Sequence, residues 1–250
     1  MKSKLITAIV LTKNEQESII GCLKSLNWVN EIIVVDDNST DKTVKLCRQF
    51  GAKVFNRPLN NDFSAQRNFA LDQASCDWLL FVDADERVSP ALKKEILSSV
   101  EQNCFNGFLI KRDDFFWGKK VNWGEVKNIW LLRLAKRNCG RWIRPVHEIW
   151  EINGPVGRLT GRLWHYPANS LSQRLKKINY YSGLHAESLR REGKTSFGFK
   201  IILWPLLKFI NNYLLKFGFL DGSRGLIINL LMSLHSFLSQ GKLWLLTRRK

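Results

Sequence analysis

Three acidic residues, Asp83, Asp85 and Glu86, directly follow an apolar run, Leu79–Val82. Residues two apart on an extended chain point to the same side, so Asp83 and Asp85 can face one ligand. Mg²⁺ and Mn²⁺ prefer oxygen ligands and commonly bridge to substrate phosphates. The spacing therefore predicts a divalent-metal site, with a solvated or salt-bridged loop as the alternative. We expect the positive charge at this cluster to come mainly from the metal, with Glu86 turned towards Arg87 or a helix cap.

A second acidic cluster lies in the segment VVDDNSTDKT. Asp36 follows a run of buried-strand type, where it can accept hydrogen bonds from a base or a ribose. We expect one of three residues to cap the helix that follows: Ser39, Thr40 or Asp41. The chain has neither GxGxxG after its first strand nor GxxxxGK[ST], which disfavours a dinucleotide-binding dehydrogenase and a P-loop NTPase.

Strand-like and helix-like segments alternate in the first hundred residues. LITAIVLT, EIIVVDD and DWLLFVDAD are continuous apolar runs of the buried type, and amphipathic segments separate them. This order predicts an α/β fold with a mostly parallel sheet covered on both faces. Ligands bind beyond the carboxyl ends of such strands. The polar clusters Thr12–Glu15, Asp36–Asp37 and Asp83–Glu86 fall at those ends.

Four segments in this order, IVLTKNEQESI, IIVVDDNSTDKT, FSAQRNFAL and LLFVDADERV, resemble the GT-A glycosyltransferases of family 2 over about residues 4–160. The resemblance implies a nucleotide-diphospho-sugar donor, a UDP-sugar, with Mg²⁺ or Mn²⁺ as cofactor and inversion at the sugar carbon. It also implies metal ligands: Asp83, Asp85 and a downstream histidine, His165, whose alternative is a structural role. The implied donor-binding residues are Thr12, Asn14, Glu15, Asp36, Asp37, Asn38, Gln66, Arg67, Asn68, Asp83, Ala84, Asp85 and Arg133.

The chemistry of such a donor requires a cation and a base. Charge that develops on the leaving diphosphate needs stabilisation, for which Arg67 is our first choice, with Arg133 and Arg137 as alternatives. The acceptor hydroxyl must lose its proton as it attacks, which calls for a carboxylate base. The family usually places that base in an acidic pair forty to sixty residues after the metal motif, and this chain has no such pair.

The segment RPVHEIW occupies the expected place of the base. Together with a later GFLDGSRGL, it resembles the bacterial lipopolysaccharide inner-core glycosyltransferases, which add glucose to a core heptose. We therefore predict Glu148 as the general base and His147 as a neighbour that orients it or contacts the diphosphate. Asp113 and Asp114 are rival bases, unless they form a charged loop with neighbouring basic residues.

Basic charge is concentrated at the end of the chain. The formal net charge is +17, and residues 161–250 hold 15 Lys and Arg against three Asp and Glu. Lys200, Lys208 and Lys216 recur every eight residues among apolar and aromatic neighbours, although their angles drift around a helix. Because no apolar run reaches the roughly 20 residues of a membrane span, we predict helices that lie on a membrane surface. Packing on the catalytic domain or in a dimer is the alternative.

These observations predict a catalytic domain at residues 1–165, divided at 104/105 into donor and acceptor halves, and a helical extension at 166–250. Five cysteines without a CxxC pattern indicate a reducing compartment. We expect a peripheral enzyme at the cytoplasmic face of the inner membrane that moves a hexose to a lipid-linked glycan. The alternatives are a nucleotidyltransferase, a glycosyltransferase with a soluble or protein acceptor, and a non-catalytic scaffold. Bulky aliphatic neighbours of the basic residues disfavour nucleic-acid binding.

Overall fold

The computed structural model describes residues 5–146, 148–167 and 170–248. Within these residues the chain forms two compact units. The sheet unit comprises the residues up to Asp113 together with Asn128–Tyr166, and the helical unit comprises Asp114–Lys127 together with the residues from Pro167 onward. The segment Asp114–Lys127, which we assigned from sequence to the acceptor half of the catalytic domain, thus folds with the helical extension.

Apolar runs without polar alternation form the central strands of the sheet unit, since both faces of such strands are buried. The strands of the chain are β1 (Ile6–Thr12), β2 (Glu31–Asp36), β3 (Lys53–Asn56), β4 (Trp78–Asp83), β5 (Glu86–Val88), β6 (Gly107–Phe116), β7 (Lys119–Val121), β8 (Trp130–Lys136), β9 (Gly140–Ile143), β10 (Ile149–Ile152) and β11 (Val156–His165). Strand β7 belongs to the helical unit. The helices are α1 (Ile19–Ser25), α2 (Thr43–Gln49), α3 (Phe63–Gln73) and α4 (Pro90–Gln102). Helices α3 and α4 begin at side-chain caps, Asp62 and Ser89.

The main sheet has the strand order β3-β2-β1-β4-β8-β6-β11-β5, and β7 pairs with β6. The four strands β3, β2, β1 and β4 are parallel, so their carboxyl ends meet at one edge. Strand β8 lies antiparallel beside β4, with Leu134 opposite Leu80. Strands β9 and β10 form a separate hairpin. The predicted α/β fold is confirmed, with its parallel part confined to the first four strands.

An aromatic cluster anchors the β9–β10 hairpin on the sheet unit. Trp142 and Trp150 stack with ring centroids 5.2 Å apart, and both meet the ring of Phe81 edge-on. All three side chains are buried, together with Ile9 and Ile33 of the central strands. This packing fixes β10, which begins directly after Glu148.

The helical unit contains α5 (Leu171–Arg191), α6 (Gly198–Ile210) and α7 (Gly222–Arg248), and α7 packs against the other two. A π-helix, Asn211–Leu215, continues α6, and a 3₁₀ helix, Gly218–Asp221, leads into α7. The extension predicted from sequence is therefore helical. Among the described helices, none is sufficiently long and apolar to cross a membrane.

The motif GFLDGSRGL has a structural role in the helical unit. The carboxylate of Asp221 accepts hydrogen bonds from the backbone N–H groups of Asn122 (3.2 Å) and Trp123 (2.8 Å). A Cβ on Gly225 would lie 1.9 Å from the carbonyl oxygen of Gly218, so this close approach requires glycine. The motif thereby holds Asp114–Lys127 within this unit.

Candidate donor and active site

The carboxyl edge of the parallel strands brings together the polar clusters singled out from sequence. Thr12 pairs with Asp36, and Leu11 pairs with Asp83, so β1, β2 and β4 end side by side. The Thr12 hydroxyl is buried and has no hydrogen-bond partner among the described residues. The sheet therefore positions these side chains as the alternation of strands and helices predicts.

Two arginines hold the carboxylate of Asp83. Arg133, on β8, places Nη2 2.5 Å from Oδ2 and Nη1 3.4 Å from Oδ1, and Nη2 of Arg67, on α3, lies 3.1 Å from Oδ1. Burial opposes ionisation of Asp83, but the two guanidinium groups outweigh it and hold its pKa well below the usual range. The side chain remains one-third exposed. Asp83 is thus a fixed anion with an accessible edge.

Glu86 is fully buried beneath Asp83. Its Oε2 accepts the backbone N–H of Asp83 (2.9 Å), and its Oε1 lies 3.4 Å from Arg133 Nη2 and 3.9 Å from Arg112 Nη1. Burial and the nearby Asp83 carboxylate raise the pKa of Glu86, although Arg133 opposes the shift. The expectation that Glu86 turns towards Arg87 or a helix cap is wrong, because β8, which pairs with β4, and β6, which pairs with β8, bring Arg133 and Arg112 to Glu86.

Arginines supply positive charge to the acidic cluster after β4, where we expected a metal. We expected a metal to supply most of it, whereas guanidinium groups face both Asp83 and Glu86. Arg112 is a contact that the sequence analysis missed, because Arg112 lies in the charged run Lys111–Asp114, which gives no local signal for a buried partner. Asp85, the third acidic residue, faces a histidine.

Arg67 joins Asp83 to the predicted base. Its Nε donates to Glu148 Oε1 at 2.9 Å, while Nη2 contacts Asp83. The guanidinium carbon lies 4.6 Å from the ring centroid of Trp142, and the residue is buried. Arg67 is therefore held between two carboxylates through Nε and Nη2.

The alternative cation Arg137 lies at the opposite edge of the sheet. Its backbone N–H bonds to the carbonyl of Asp77, which precedes β4, and its Nη1 donates to the carbonyl of Ala74 at 2.8 Å. Strand β8 runs antiparallel to β4, so Arg133 and Arg137 end at different edges. The prediction that Arg137 could stabilise the leaving diphosphate is therefore wrong.

Asp85 and His165 form the pair that could hold a metal. His165 Nε2 lies 3.4 Å from Asp85 Oδ2, and the backbone N–H of Tyr166 donates to the carbonyl of Asp85. Between Asp83 and Asp85, the methyl group of Ala84 packs into the core, which excludes its side chain from the donor contact we expected. In the described residues no cluster of three or more His, Cys, Asp or Glu could hold a metal. One oxygen and one nitrogen donor fit Mg²⁺ or Mn²⁺ only if a substrate and water complete the coordination.

The acidic residues after β2 have different environments. Asp36 is buried and accepts the backbone N–H of Ser39 at 2.8 Å, so it closes the turn itself. Asp37 accepts the N–H of Leu59 (2.8 Å) and pairs with Lys13 (2.7 Å), whose side chain is 58% exposed. Lys13 was not singled out from sequence, and it adds an exposed cation at this edge.

The loop after β1 interlocks with the loop after β2. Asn14 and Asn38 both adopt positive φ angles (52° and 53°), and the Asn14 side chain accepts the N–H of Thr40 at 2.8 Å. The backbone N–H of Glu15 donates to Thr43 Oγ1 at 2.9 Å. Of the predicted helix caps, Asp41 is the one whose side chain accepts the N–H of Thr43, at the start of α2. The two loops thus form one rigid rim.

Gln66 and Asn68 support the fold around this rim. Gln66 Nε2 donates to the carbonyl of Arg57 at 2.9 Å, and Gln66 is buried. The Asn68 amide donates to the carbonyl of Trp142 (2.8 Å) and accepts its N–H (2.9 Å). Asn68 therefore ties α3 to β9, in place of the expected position near the diphosphate.

The candidate bases are Glu148, Asp113 and Asp114, with His147 as the predicted neighbour of Glu148. His147 lies outside the described residues. Asp113 lies 3.8 Å from Arg162 Nε, and Asp114 is buried in the helical unit. Glu148 is the candidate base that the structure brings next to the donor-side carboxylate, through Arg67.

Known proteins resemble this chain in both sequence and structure. It is 28% identical over 250 residues to the lipopolysaccharide core biosynthesis glycosyltransferase LpsC of Rhizobium meliloti, covering 96% of this chain and 92% of LpsC. An uncharacterized glycosyltransferase of Rickettsia felis is 30% identical over 257 residues, covering 95% of this chain and 89% of the relative. The structure of S. aureus TarS 1-349 in complex with UDP is similar in fold, with a TM-score of 0.51 at 17% identity over 74% of this chain and 65% of that chain.

The family assignment rests on a match over more than half of the chain. Residues 7–149 match the family described as Glycosyl transferase family 2, which includes β1, the acidic ends of β2 and β4, and Glu148. The expected resemblance and the GT-A-like fold are thereby confirmed, and a nucleotidyltransferase is disfavoured. This chain therefore belongs to glycosyl transferase family 2 and is a glycosyltransferase.

Proposed function

We propose that this chain moves a hexose such as glucose, with inversion, from a UDP-sugar to a lipid-linked glycan in lipopolysaccharide core or related cell-envelope synthesis. The observation that carries the proposal is the shared guanidinium of Arg67, which links the donor-side Asp83 to Glu148. LpsC, a relative over nearly the whole chain, is named for lipopolysaccharide core biosynthesis and supports the acceptor class. The complex of TarS with UDP supports the nucleotide.

In this mechanism the protein holds the nucleotide and takes one proton. Asp37 and Lys13 contact the nucleoside side of the donor, and the Asp83 carboxylate accepts hydrogen bonds from ribose hydroxyl groups. Glu148 accepts the proton of the acceptor hydroxyl as that oxygen bonds to the sugar carbon. The bond from that carbon to the diphosphate breaks at the same time, and the diphosphate leaves with the electron pair.

Asp85 and His165 are the residues that would hold a divalent metal, Mg²⁺ or Mn²⁺. When bound, such an ion neutralises charge on the leaving diphosphate. Asp83 is the poorer ligand of the predicted set, because two guanidinium groups already occupy its carboxylate. A site with few protein ligands is typical of Mg²⁺ that is shared with substrate phosphates.

The test of this function measures UDP release from UDP-sugars, with and without Mn²⁺, in the presence of a lipid extract or its aqueous fraction. We expect release to depend on a UDP-hexose and on the lipid fraction.

Glu148→Gln should lower kcat by about 10³-fold and leave the Kd for UDP within about twofold, because an amide cannot take the proton. Asp113→Asn is the matched control and should retain turnover. Turnover by Glu148→Gln, or loss confined to Asp113→Asn, would overturn the assignment of the base, and release driven by the aqueous fraction would overturn the acceptor class.

We further propose that the helical unit binds the cytoplasmic face of the inner membrane peripherally. Large apolar side chains of α6 are strongly exposed, among them Phe199 and Ile202 (66% and 72%). Lys200 lies over the rings of Phe197 and Trp204, at 4.9 and 5.8 Å. Exposed apolar and aromatic side chains beside lysines are typical of interfacial helices. Anionic lipid carries the charge opposite to that of these lysines and is therefore the proposed partner.

Vesicle flotation tests the membrane contact. Removing three lysines, by Lys200→Ala, Lys208→Ala and Lys216→Ala together, should weaken binding to phosphatidylglycerol vesicles about 10- to 100-fold, since each basic residue near the surface contributes about 1 kcal/mol. The matched control removes three exposed lysines of the sheet unit: Lys24, Lys45 and Lys94. Equal losses in both triple variants would indicate a non-specific charge effect and contradict the proposal. Self-association that masks the same face would instead support a dimer.

A further inference from the structure

Glu86 is a buried carboxylate that the proposed chemistry does not use. No part of it is exposed, yet it lies within a cluster of acids and against Arg133. Burying a charge costs several kcal/mol even when a partner is present, and an apolar side chain of similar size is often as stable or more so. Packing alone therefore does not account for an acid at this position.

The contacts of Glu86 converge on Asp83. Oε2 accepts the backbone N–H of Asp83 at 2.9 Å, which fixes the main chain at the end of β4. Oε1 lies 3.4 Å from Nη2 of Arg133, and that same nitrogen lies 2.5 Å from Asp83 Oδ2. Glu86 thus acts on Asp83 twice, directly through the backbone and indirectly through the arginine.

Arg133 depends on this second carboxylate for its orientation. Its two terminal nitrogens face the two oxygens of Asp83, an arrangement that specifies the plane of the carboxylate. Its Nε is buried without a hydrogen-bond partner among the described residues. Glu86 is consequently a second acceptor at Nη2 of Arg133, the nitrogen that also faces Asp83.

We infer that Glu86 is a positioning residue for the donor, and that it holds Asp83 in its binding orientation through Arg133. The inference rests on the proposed function, in which Asp83 contacts a UDP-sugar. Neither Glu86 nor Arg112 need touch the donor for this role. The role predicts a loss of nucleotide affinity, with the fold retained, when only the charge of Glu86 is removed.

Glu86→Gln is the informative change, because the amide oxygen can still accept the Asp83 N–H while the charge opposite Arg133 is lost. We expect the Kd for UDP, measured by calorimetry with EDTA and again with Mn²⁺, to rise about tenfold in both conditions. The KM for the donor should rise in parallel, and kcat should change less than threefold. Glu86→Asp, which keeps the charge, should recover part of the affinity.

A double-variant cycle separates positioning from simple structural damage. If Glu86 acts through Arg133, then Glu86→Gln should add less than twofold to the loss of UDP affinity already caused by Arg133→Met. Glu31→Gln is the matched control, since Glu31 is a buried carboxylate paired with a lysine at the opposite edge of the sheet. It should lower stability and leave the Kd for UDP unchanged.

The outcomes distinguish this inference from the proposed function. Wild-type protein is first titrated with UDP, CDP, GDP and ADP; if it binds none of them, the proposed function and the inference both fall. If wild type binds UDP and folded Glu86→Gln binds it equally well, the inference alone falls. Additive losses with Arg133→Met, or an equal loss in Glu31→Gln, would also overturn it.

Discussion

Buried carboxylates occur at both edges of the parallel strands, and they are built differently. At the amino edge, Glu31 accepts from Thr7 (2.6 Å), from the N–H of Ser75 (2.9 Å) and from Lys53 (2.6 Å). Burial opposes its ionisation, but these three donors lower its pKa to about 2. At the carboxyl edge, Asp83 and Glu86 share Arg133, and their pKa values move in opposite directions.

The difference distinguishes a structural carboxylate, Glu31, from the carboxylates of the candidate active site, Asp83 and Glu86. Each oxygen of Glu31 has donors of its own, and its one cation is largely solvated. Asp83 and Glu86 are instead neighbouring like charges that share the guanidinium of Arg133, with Arg67 and Arg112 as further partners, and Asp83 keeps an exposed edge. Such strain between like charges is typical of functional sites. The comparison therefore predicts that charge removal costs stability at the amino edge and activity at the carboxyl edge.

The largest effect is expected for Asp85→Ala. Asp85 is the acidic residue of the carboxyl edge proposed to hold the metal, so its loss should lower Mn²⁺-dependent turnover on the order of 10³-fold. The free energy of unfolding should stay the same or rise slightly, because one member of a like-charged cluster is gone. UDP release and urea unfolding measure the two quantities. If Asp85→Ala fails to fold, the acidic residues at the carboxyl edge are structural, and the two edges do not differ as predicted.

Arg67→Met should affect both activity and stability. The change leaves Asp83 and Glu148 without their shared cation, so we expect a loss of about 100-fold in kcat/KM and about 3 kcal/mol of stability. Arg141→Ala is the control, since Arg141 pairs with Asp72 at the surface and should change stability by less than about 1 kcal/mol. Wild-type turnover by Arg67→Met would contradict the link between donor site and base.

Glu31→Gln should have the smallest effect on activity and a measurable one on stability. Its folded pKa is lowered from 4.5 to about 2, so its contribution is present above pH 4.5 and is lost as pH falls towards 2. At pH 7 we expect a loss of about 2 kcal/mol with turnover unchanged. Urea unfolding of both proteins from pH 7 to pH 2.5 should show the difference narrowing. A constant difference would exclude the pKa shift as its cause.

Much of the carboxyl edge follows from local sequence. The apolar runs that became β1, β2 and β4 were recognisable without homologues, and each ends at a polar cluster. Because parallel strands share one edge, the neighbourhood of Thr12, Asp36 and Asp83 could be predicted. Ala84 is an exception, since we expected it among the donor contacts and its methyl group lies in the core.

The partners of those acids could not be predicted in the same way. Arg133 and Arg112 reach the end of β4 only because β8 and β6 join the sheet antiparallel, beyond the parallel part. Pairing between distant strands is not encoded in local periodicity, so the burial of Glu86 was missed. Asp114–Lys127 is a similar case, since its contacts with Asp221 join segments about a hundred residues apart.

The π-helix at Asn211–Leu215 has a consequence for the angular spacing of the lysines. Eight residues of α-helix turn about 80° beyond two full revolutions, so Lys208 and Lys216 would diverge on a regular helix. A π-helix bonds residue i to i+5, so each of its residues turns less. Five such residues separate the two lysines, and both lysines line one cavity of about 420 Å³ together with Trp204. The wider turns thus convert the interval between Lys208 and Lys216 into a near two-turn repeat, and these two lysines stay in phase.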